Sequence, residues 1–372
     1  MPWRKASIMS QRLEVVTFLQ ASGGPGVTEL CRRFGVSRKT AYKWLARYRA
    51  GDRELADRSR RPACSPRRCA DAVEQRVVEL RRTHPAWGPR KLRQDLLNDS
   101  QAAPAASTIG RILHRHGLIA TDAWQKHTAY QRFEYPEPND LWQMDFKGYF
   151  TTLKQGKCHP LCVLDDHSRY ALGVRACANE ESGTVQEQLT ALFQTYGLPA
   201  GMLADNGSAW SKQTKLAVWL MRLGLRVLHG RPSHPQTQGK LERFNRTLKA
   251  EAIGCLRFED LRACQKRFDL WKEEYNHRRP HEALNLATPA TRYRPSPRAF
   301  PATLPAIEYG PGDQVLIVNG TGFIGYAGRR WMIGQAYCSL PVGLRPTPND
   351  AVKAIYFCQQ KVAEINLKTE NR

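Results

Sequence analysis

The sequence predicts a multidomain chain: all-α helix-turn-helix units at the front, a central α/β domain with a mixed sheet, and a small C-terminal β-barrel. Three observations carry this. Apolar residues recur at helical spacing over 10–48 and 71–118, broken by glycine turns. From Leu141 the pattern changes to short runs of strand formers alternating with amphipathic helices. Residues 310–365 alternate apolar and polar, with Gly320, Gly322, Gly325 and Gly328 as turn points. The expected domains are 1–50, 71–120, 130–295 and 305–366, with a basic linker at 51–70.

The 372 residues carry 57 Lys and Arg against 34 Asp and Glu, a formal net charge of +23. Residues 1–130 hold 25 basic and 11 acidic residues, hence +14; the remainder hold 32 and 23, hence +9. An excess this large attracts polyanions, and its asymmetry points to a nucleic-acid-binding segment at the front. No run of 18 apolar residues exists, so no membrane span is expected. The opening "MPWRKASIMSQR" has charge but no apolar core, so it does not read as a secretory signal. The ten cysteines are scattered. Their closest pairs, Cys64/Cys69 and Cys158/Cys162, have no second pair at zinc-finger spacing, so reduced thiols are expected.

The front unit opens with a helix marked by Leu13, Val16, Phe18 and Leu19, ended by the Gly-Gly-Pro-Gly break at 23–26. "VTELCRRFGVSRKTAYKWLARY" then gives a short helix, a Gly35-Val36 turn, and a second helix capped by Ser37. Ala41, Trp44, Leu45 and Tyr48 fall on its inner face. Arg38, Lys39, Thr40, Lys43 and Arg47 are left outside, the layout of a basic recognition helix. An ordinary three-helix bundle with a solvated basic face has the same periodicity; turn and charge together favour DNA.

Residues 50–70 are rich in Arg and Pro and have no apolar period, which suits a spacer or a segment lying along phosphates. The second helical unit begins with Val73, Val77, Val78 and Leu80. "WGPRKLRQDLL" starts its next helix, and "STIGRILHRHGLI" its last, with Ser107 as N-cap and Gly117 as stop. Arg111 and Arg115 are its candidate DNA contacts.

In the central domain "LWQMDFKGYF" and "HPLCVLDDHSRYALGVRAC" read as three antiparallel strands, the last two joined around Asp165-Asp166-His167-Ser168. An amphipathic helix at 181–196 leads to the almost wholly apolar strand "GMLAD". A helix at 212–223 leads to the strand "LRVLH". The apolar "GMLA" suits a parallel strand buried on both faces, with Asp205 emerging at its carboxyl end, where sites gather in such sheets. Asp205 also begins Asp-Asn-Gly-Ser, a strong turn signal, so turn and site readings are compatible. Asp145 lies in an apolar strand, where a carboxylate is costly unless paired or metal-bound. A loop over 229–239 precedes a helix from about Lys240. Leu241, Phe244 and Leu248 form its core face, and Glu242, Asn245, Arg246 and Lys249 the opposite one. Alone, Glu242 reads as a surface residue paired with Arg246. Asp165 and Asp166 read as a hairpin turn, and His229 and His234 as loop residues.

The ordered set of Asp145, Asp205 and Glu242, with 36 residues between the last two, resembles the DDE triad of integrase-core transposases. "HPQTQGKLERFNRTLK", "VLDDHSRY" and "YNHRRPHEAL" followed by "ATPATRY" resemble that family's catalytic helix, central strands and closing segment, over about 130–295. The retroviral Cys/His zinc module is not apparent, so the chain resembles the bacterial insertion-sequence branch. The resemblance implies an RNase H-like core and a polynucleotidyl transferase. It implies two Mg²⁺ (or Mn²⁺) ions, with Asp145 bridging both and Asp205 and Glu242 each taking one. It implies double-stranded DNA as partner, both terminal repeats and target, and a homo-oligomer assembled on it, in the bacterial cytoplasm at the nucleoid. Lys249 becomes a candidate phosphate contact. Asn206 and Ser208 either touch substrate or satisfy the turn. A DNA-binding regulator with a dead core, or a nuclease of the same fold, are the alternatives. The C-terminal barrel, with Arg329 and Arg330 as its main local charges, either contacts DNA or is purely structural.

Overall fold

The computed structural model describes residues 8–21, 23–57, 69–99, 103–119, 134–154, 156–204, 214–229, 239–254 and 256–368. They fall into two compact units, Met1–Arg68 and Cys69–Arg372.

The front unit is three helices: α1 (Ile8–Gln20), α2 (Val27–Arg33) and α3 (Arg38–Arg49). Gly35 makes the turn between α2 and α3 with φ 64°, a conformation glycine adopts without a Cβ penalty. Ser37 caps α3 as expected, its hydroxyl accepting from the Thr40 amide at 3.2 Å. Val15, Val16, Leu30, Ala41, Trp44, Leu45 and Leu55 are buried. Leu13, expected inside, is 42% exposed. The face of α1 that meets α3 is set by the Val15-Val16 pair, which turns Leu13 to solvent.

The second unit begins with α4 (Asp71–Thr83), α5 (Pro89–Asn98) and α6 (Ala106–Arg115), packed around Val77, Trp87, Leu92, Leu96, Ile109 and Leu113. Pro89 opens α5, where its missing N–H costs nothing. Ser107 is not the N-cap of α6. The helix starts two residues earlier, at Ala106 behind Ala105, which has no capping side chain. Gly117 (φ 66°) does end it, and the Leu118 amide folds back onto the Leu113 carbonyl at 2.8 Å.

The central sheet contains β1 (Trp142–Phe146), β2 (Phe150–Thr151), β3 (Lys157–Asp165), β4 (Ala171–Cys177), β5 (Gly201–Ala204) and β6 (Arg226–His229). β3 is antiparallel to both β1 and β4, while β5 is parallel to β1 and to β6. β1 and β4 pair with overlapping residues of β3 and so take its two edges, giving the order β4-β3-β1-β5-β6. Helices α7 (Ser182–Tyr196) and α8 (Lys215–Arg222) bury Leu189, Phe193, Leu216 and Leu220 in one core with Trp142 and Met202. On the other side α9 (Gly239–Leu248) and α10 (Leu261–His277) bury Phe244, Phe268 and Trp271 against Cys162 and Val174.

Side-chain amides close the two outer strands. Asn276 accepts from the Ala171 amide and donates to the Ala171 carbonyl, and Gln265 does the same for Ala176 and Val174. On β6, Gln360 clasps both backbone groups of Val227. Each amide stands in for a neighbouring strand on an otherwise open edge.

The C-terminal region forms a four-stranded antiparallel sheet and a separate hairpin. The strands are β7 (Gln314–Ile317), β8 (Phe323–Tyr326), β9 (Arg329–Met332), β10 (Pro341–Pro346), β11 (Val352–Phe357) and β12 (Gln360–Asn366). The predicted barrel does not close. Among the described residues β7 and β12 are both edges, and β8 and β9 pair only with each other. The interruption is local. A turn at Gln335–Tyr337 separates β9 from β10, and the Asn319 side chain holds Thr321 and Phe323 in a loop before β8. The hairpin therefore leaves the sheet instead of continuing it. Val318, Ile324, Tyr337 and Ile355 join the same core as α8 and β6.

Candidate active site

Asp145 lies one residue from the end of β1 and is half-buried. The parallel register puts Leu203 opposite Gln143. Asp145 is two residues beyond Gln143, as Asp205 is two beyond Leu203 in sequence. Asp205, with Asn206, Ser208 and His234, falls outside the described residues. His229 ends β6 and is half-buried.

Glu242 is exposed in the first turn of α9. Leu241, Phe244 and Leu248 are buried as the spacing requires. Asn245 departs from the expected outer face. It is 8% exposed, and its Nδ2 donates to Asp145 Oδ2 at 3.2 Å. Residues i and i+3 of a helix are neighbours, so this contact brings the Glu242 side of α9 to the end of β1. The signal for Asn245 was present in its spacing from Glu242. What the sequence could not supply was which edge of α9 meets the sheet.

The Asn245 Oδ1 and Gln143 Oε1 oxygens are buried with no hydrogen-bond partner among the described residues. Buried amide oxygens are normally satisfied, so these two mark an acceptor-rich region around Asp145. Gln143 Nε2 donates to Asp166 Oδ1 at 2.7 Å. Asp166, fully buried, also pairs with Lys240 Nζ at 2.6 Å. Burial holds the Lys240 amine below its usual range, and Asp166 draws it back. Asp165 is equally buried and equally occupied, accepting from Ser168 and Asn139. Burial raises its pKa while those bonds hold it down. Both aspartates sit at the β3–β4 turn, and beyond that reading Asp166 also joins β1 to α9. Among the described residues no three His, Cys, Asp or Glu side chains gather into a group able to hold a metal ion.

Lys249 is exposed and opens a single π-helical turn, Lys249–Ile253, that follows α9 directly. Such turns recur at functional sites because they re-aim the residues they carry. Glu251, in that turn, is held by Arg279 and by Trp271 Nε1.

The basic candidates elsewhere divide by their partners. Arg38, Lys39 and Lys43 are exposed on α3, whereas Thr40 is half-buried and bonds to Ser37. Lys43 Nζ lies 5.1 Å from the Trp44 ring centroid. Arg47 stacks on the same ring at 4.6 Å, pairs with Asp52 and donates to the Ala56 carbonyl. On α6, Arg111 is exposed, and Arg115 pairs with the buried Glu74 at 2.7 Å. Among the described residues the eight cysteines are free thiols, Cys162 fully buried and pushed up by that burial. No helix among them is long and apolar enough to cross a membrane.

Comparison with known proteins adds to this geometry. Residues 136–235 and 223–289 match models of the integrase core domain. Residues 11–63 match a helix-turn-helix domain and 40–113 a homeodomain-like domain. Residues 313–372 match the C-terminal domain of IS481 family transposases. An insertion element IS476 protein of Xanthomonas euvesicatoria is 26% identical over 235 residues, covering 62% of this chain and 67% of the relative. The IS904 transposase of Lactococcus lactis is 25% identical over 198 residues, covering 49% and 77%. A chain of the simian T-cell lymphotropic virus intasome aligns over 77% of this chain and 99% of its own, at 16% identity and a TM-score of 0.39.

Proposed function

We propose how the chain works from what it is, an insertion-sequence transposase with an integrase-type core. It binds the terminal inverted repeats of its element, cleaves DNA at those ends, and joins the freed 3′-OH groups to target DNA. The contact between Asn245 and Asp145 carries this reading. It supports a site in which Glu242 meets the end of β1, beside the strand that Asp205 follows.

Each chemical step displaces one bridging oxygen of a phosphodiester. An incoming water or 3′-OH oxygen forms the new P–O bond, loses its proton, and the bridging oxygen leaves with the electron pair. No covalent protein nucleophile is needed. Asp145, Asp205 and Glu242 would hold two Mg²⁺ or Mn²⁺ ions. The fit is chemical: every candidate ligand is a hard oxygen donor, and the Asn245 oxygen, unpartnered among the described residues, belongs to the amide that bonds Asp145. Bound there, such ions supply Lewis-acid stabilisation of charge developing on the phosphate oxygens. Asn245 holds Asp145 Oδ2 in place. Lys249, exposed beyond α9, engages a phosphate of the bound strand. Arg38, Lys39 and Thr40 on α3 read one segment of the repeat, and Lys43 contacts its phosphates. Arg111 and Arg115 on α6 read another. Because two ends are joined in one event, the active form is a homo-oligomer on DNA.

The test is a strand-transfer assay with an end-bearing duplex, a plasmid target and Mg²⁺ or Mn²⁺. Asp205→Asn should keep end binding and lose both cleavage and joining. Joining at near the parent rate by that variant would refute the triad. Cleavage by the parent without joining would reduce the chain to a nuclease.

A further inference from the structure

We propose that Asp166, through Lys240, is a positioning residue that sets helix α9, and with it Glu242, against Asp145. The proposal rests on the reading of the site just given and adds two residues outside the triad.

Asp166 is 0% exposed and spends its carboxylate on three elements. Oδ1 accepts from Gln143 Nε2 of β1 at 2.7 Å. Oδ2 accepts from the Tyr135 amide, on the segment entering β1, at 2.9 Å. Lys240 Nζ of α9 pairs with Oδ2 at 2.6 Å and reaches the Asp166 carbonyl at 3.5 Å. Gln143 and Asp145 are two residues apart on β1, so their side chains leave the same face of the strand. Lys240 precedes Glu242 by two residues and Asn245 follows it by three. Helix α9 is therefore pinned on both sides of Glu242. One pin runs to Gln143 through Asp166, and the other goes directly to Asp145.

Helix stability does not explain Lys240. A cation in the first turn opposes the helix dipole, and lysine is rarely this buried, its side chain being 13% exposed. Phosphate binding does not explain it either, since its ammonium is already engaged by Asp166. What the pair achieves is neutralisation of a wholly buried carboxylate, at one fixed separation between the β3–β4 turn and α9. Removing the lysine charge would leave Asp166 without its ion-pair partner, with only the more distant Arg169 charge acting on it, and α9 would lose its contact with the β3–β4 turn.

The test uses the full chain without DNA and titrates it with Mn²⁺ alone, following the free-ion signal by electron paramagnetic resonance. It is run at a temperature where each variant is fully folded by thermal melt. Lys240→Met keeps the stem and removes the charge, and should weaken Mn²⁺ binding about tenfold or more, the usual cost of losing a group that orients a metal ligand. Lys240→Arg, which keeps charge and reach, should bind Mn²⁺ as the parent does. Asp145→Asn is the control. If Asp145→Asn loses Mn²⁺ while Lys240→Met binds at parent affinity, the positioning role is overturned and the site stands. If Asp145→Asn itself binds as the parent, the site reading fails and the positioning role with it.

Discussion

The Asp145–Asn245 hydrogen bond joins strand to helix at the point where the chemistry is proposed. Asn245→Leu would leave Asp145 without that amide, and we expect end binding to persist while cleavage in the strand-transfer assay falls about tenfold or more. His281, in the "YNHRRPHEAL" segment, gives a different prediction. It is 8% exposed, and burial, then the charges of Arg279 and Lys91, push its pKa down to about 2. Below about pH 6.5 the unfolded chain takes up a proton that the folded chain refuses, so stability falls as pH drops from 6.5 toward 2. The slope from this one residue is up to about 1.4 kcal/mol per pH unit. His281→Asn should flatten the melting temperature between pH 6.5 and 5. An unchanged slope would place the acid sensitivity elsewhere.

At the scale of the element, α3 behaves as its sequence reads: capped by Ser37, anchored by Ala41, Trp44 and Leu45, and basic outside. Ser37→Ala should cost about 1 kcal/mol, read as a lower denaturation midpoint of the front unit. Lys43→Ala should weaken end binding uniformly across sequences and reduce the salt slope of log K by about one. An unchanged slope would exclude a Lys43–phosphate contact. Arg47 is a less promising reader than its position on the helical wheel suggests, because Asp52, Ala56 and Trp44 already hold its guanidinium.

At the scale of the molecule, the α4–α6 bundle is docked on the central domain by charged groups. Arg278 of the segment after α10 forks onto Asp95 of α5 with two bonds of 3.0 Å, and Asp95 is 1% exposed. His84 Nδ1 lies 2.8 Å from Glu274. Arg278→Ala leaves Asp95 unpaired and should destabilise the Cys69–Arg372 unit by about 1–3 kcal/mol in urea titration. The double variant Asp95→Leu with Arg278→Leu should recover much of that loss, because an apolar pair has no charge to desolvate.

Sequence by itself determined the order of the elements as far as α9, the α3 cap, the mixed central sheet and the residues of α9 that face the core, but not the long helix α10. Each follows from local rules, hydrophobic period and turn chemistry, that act over a few residues. The candidate carboxylates were also legible, as a set whose order and spacing resemble one family. Tertiary structure decided the rest. Asn245 turns inward because its edge of α9 lies against Asp145 at the end of β1, and Asp166 becomes a junction because Gln143 and Lys240 arrive from strand and helix together. The barrel stays open because β8 and β9 pair with each other and not with the sheet. These outcomes depend on contacts between residues as much as 100 apart in sequence, as Asp145 and Asn245 are. Periodicity says which face of an element is buried; it does not say which polar group on a neighbouring element will meet that face.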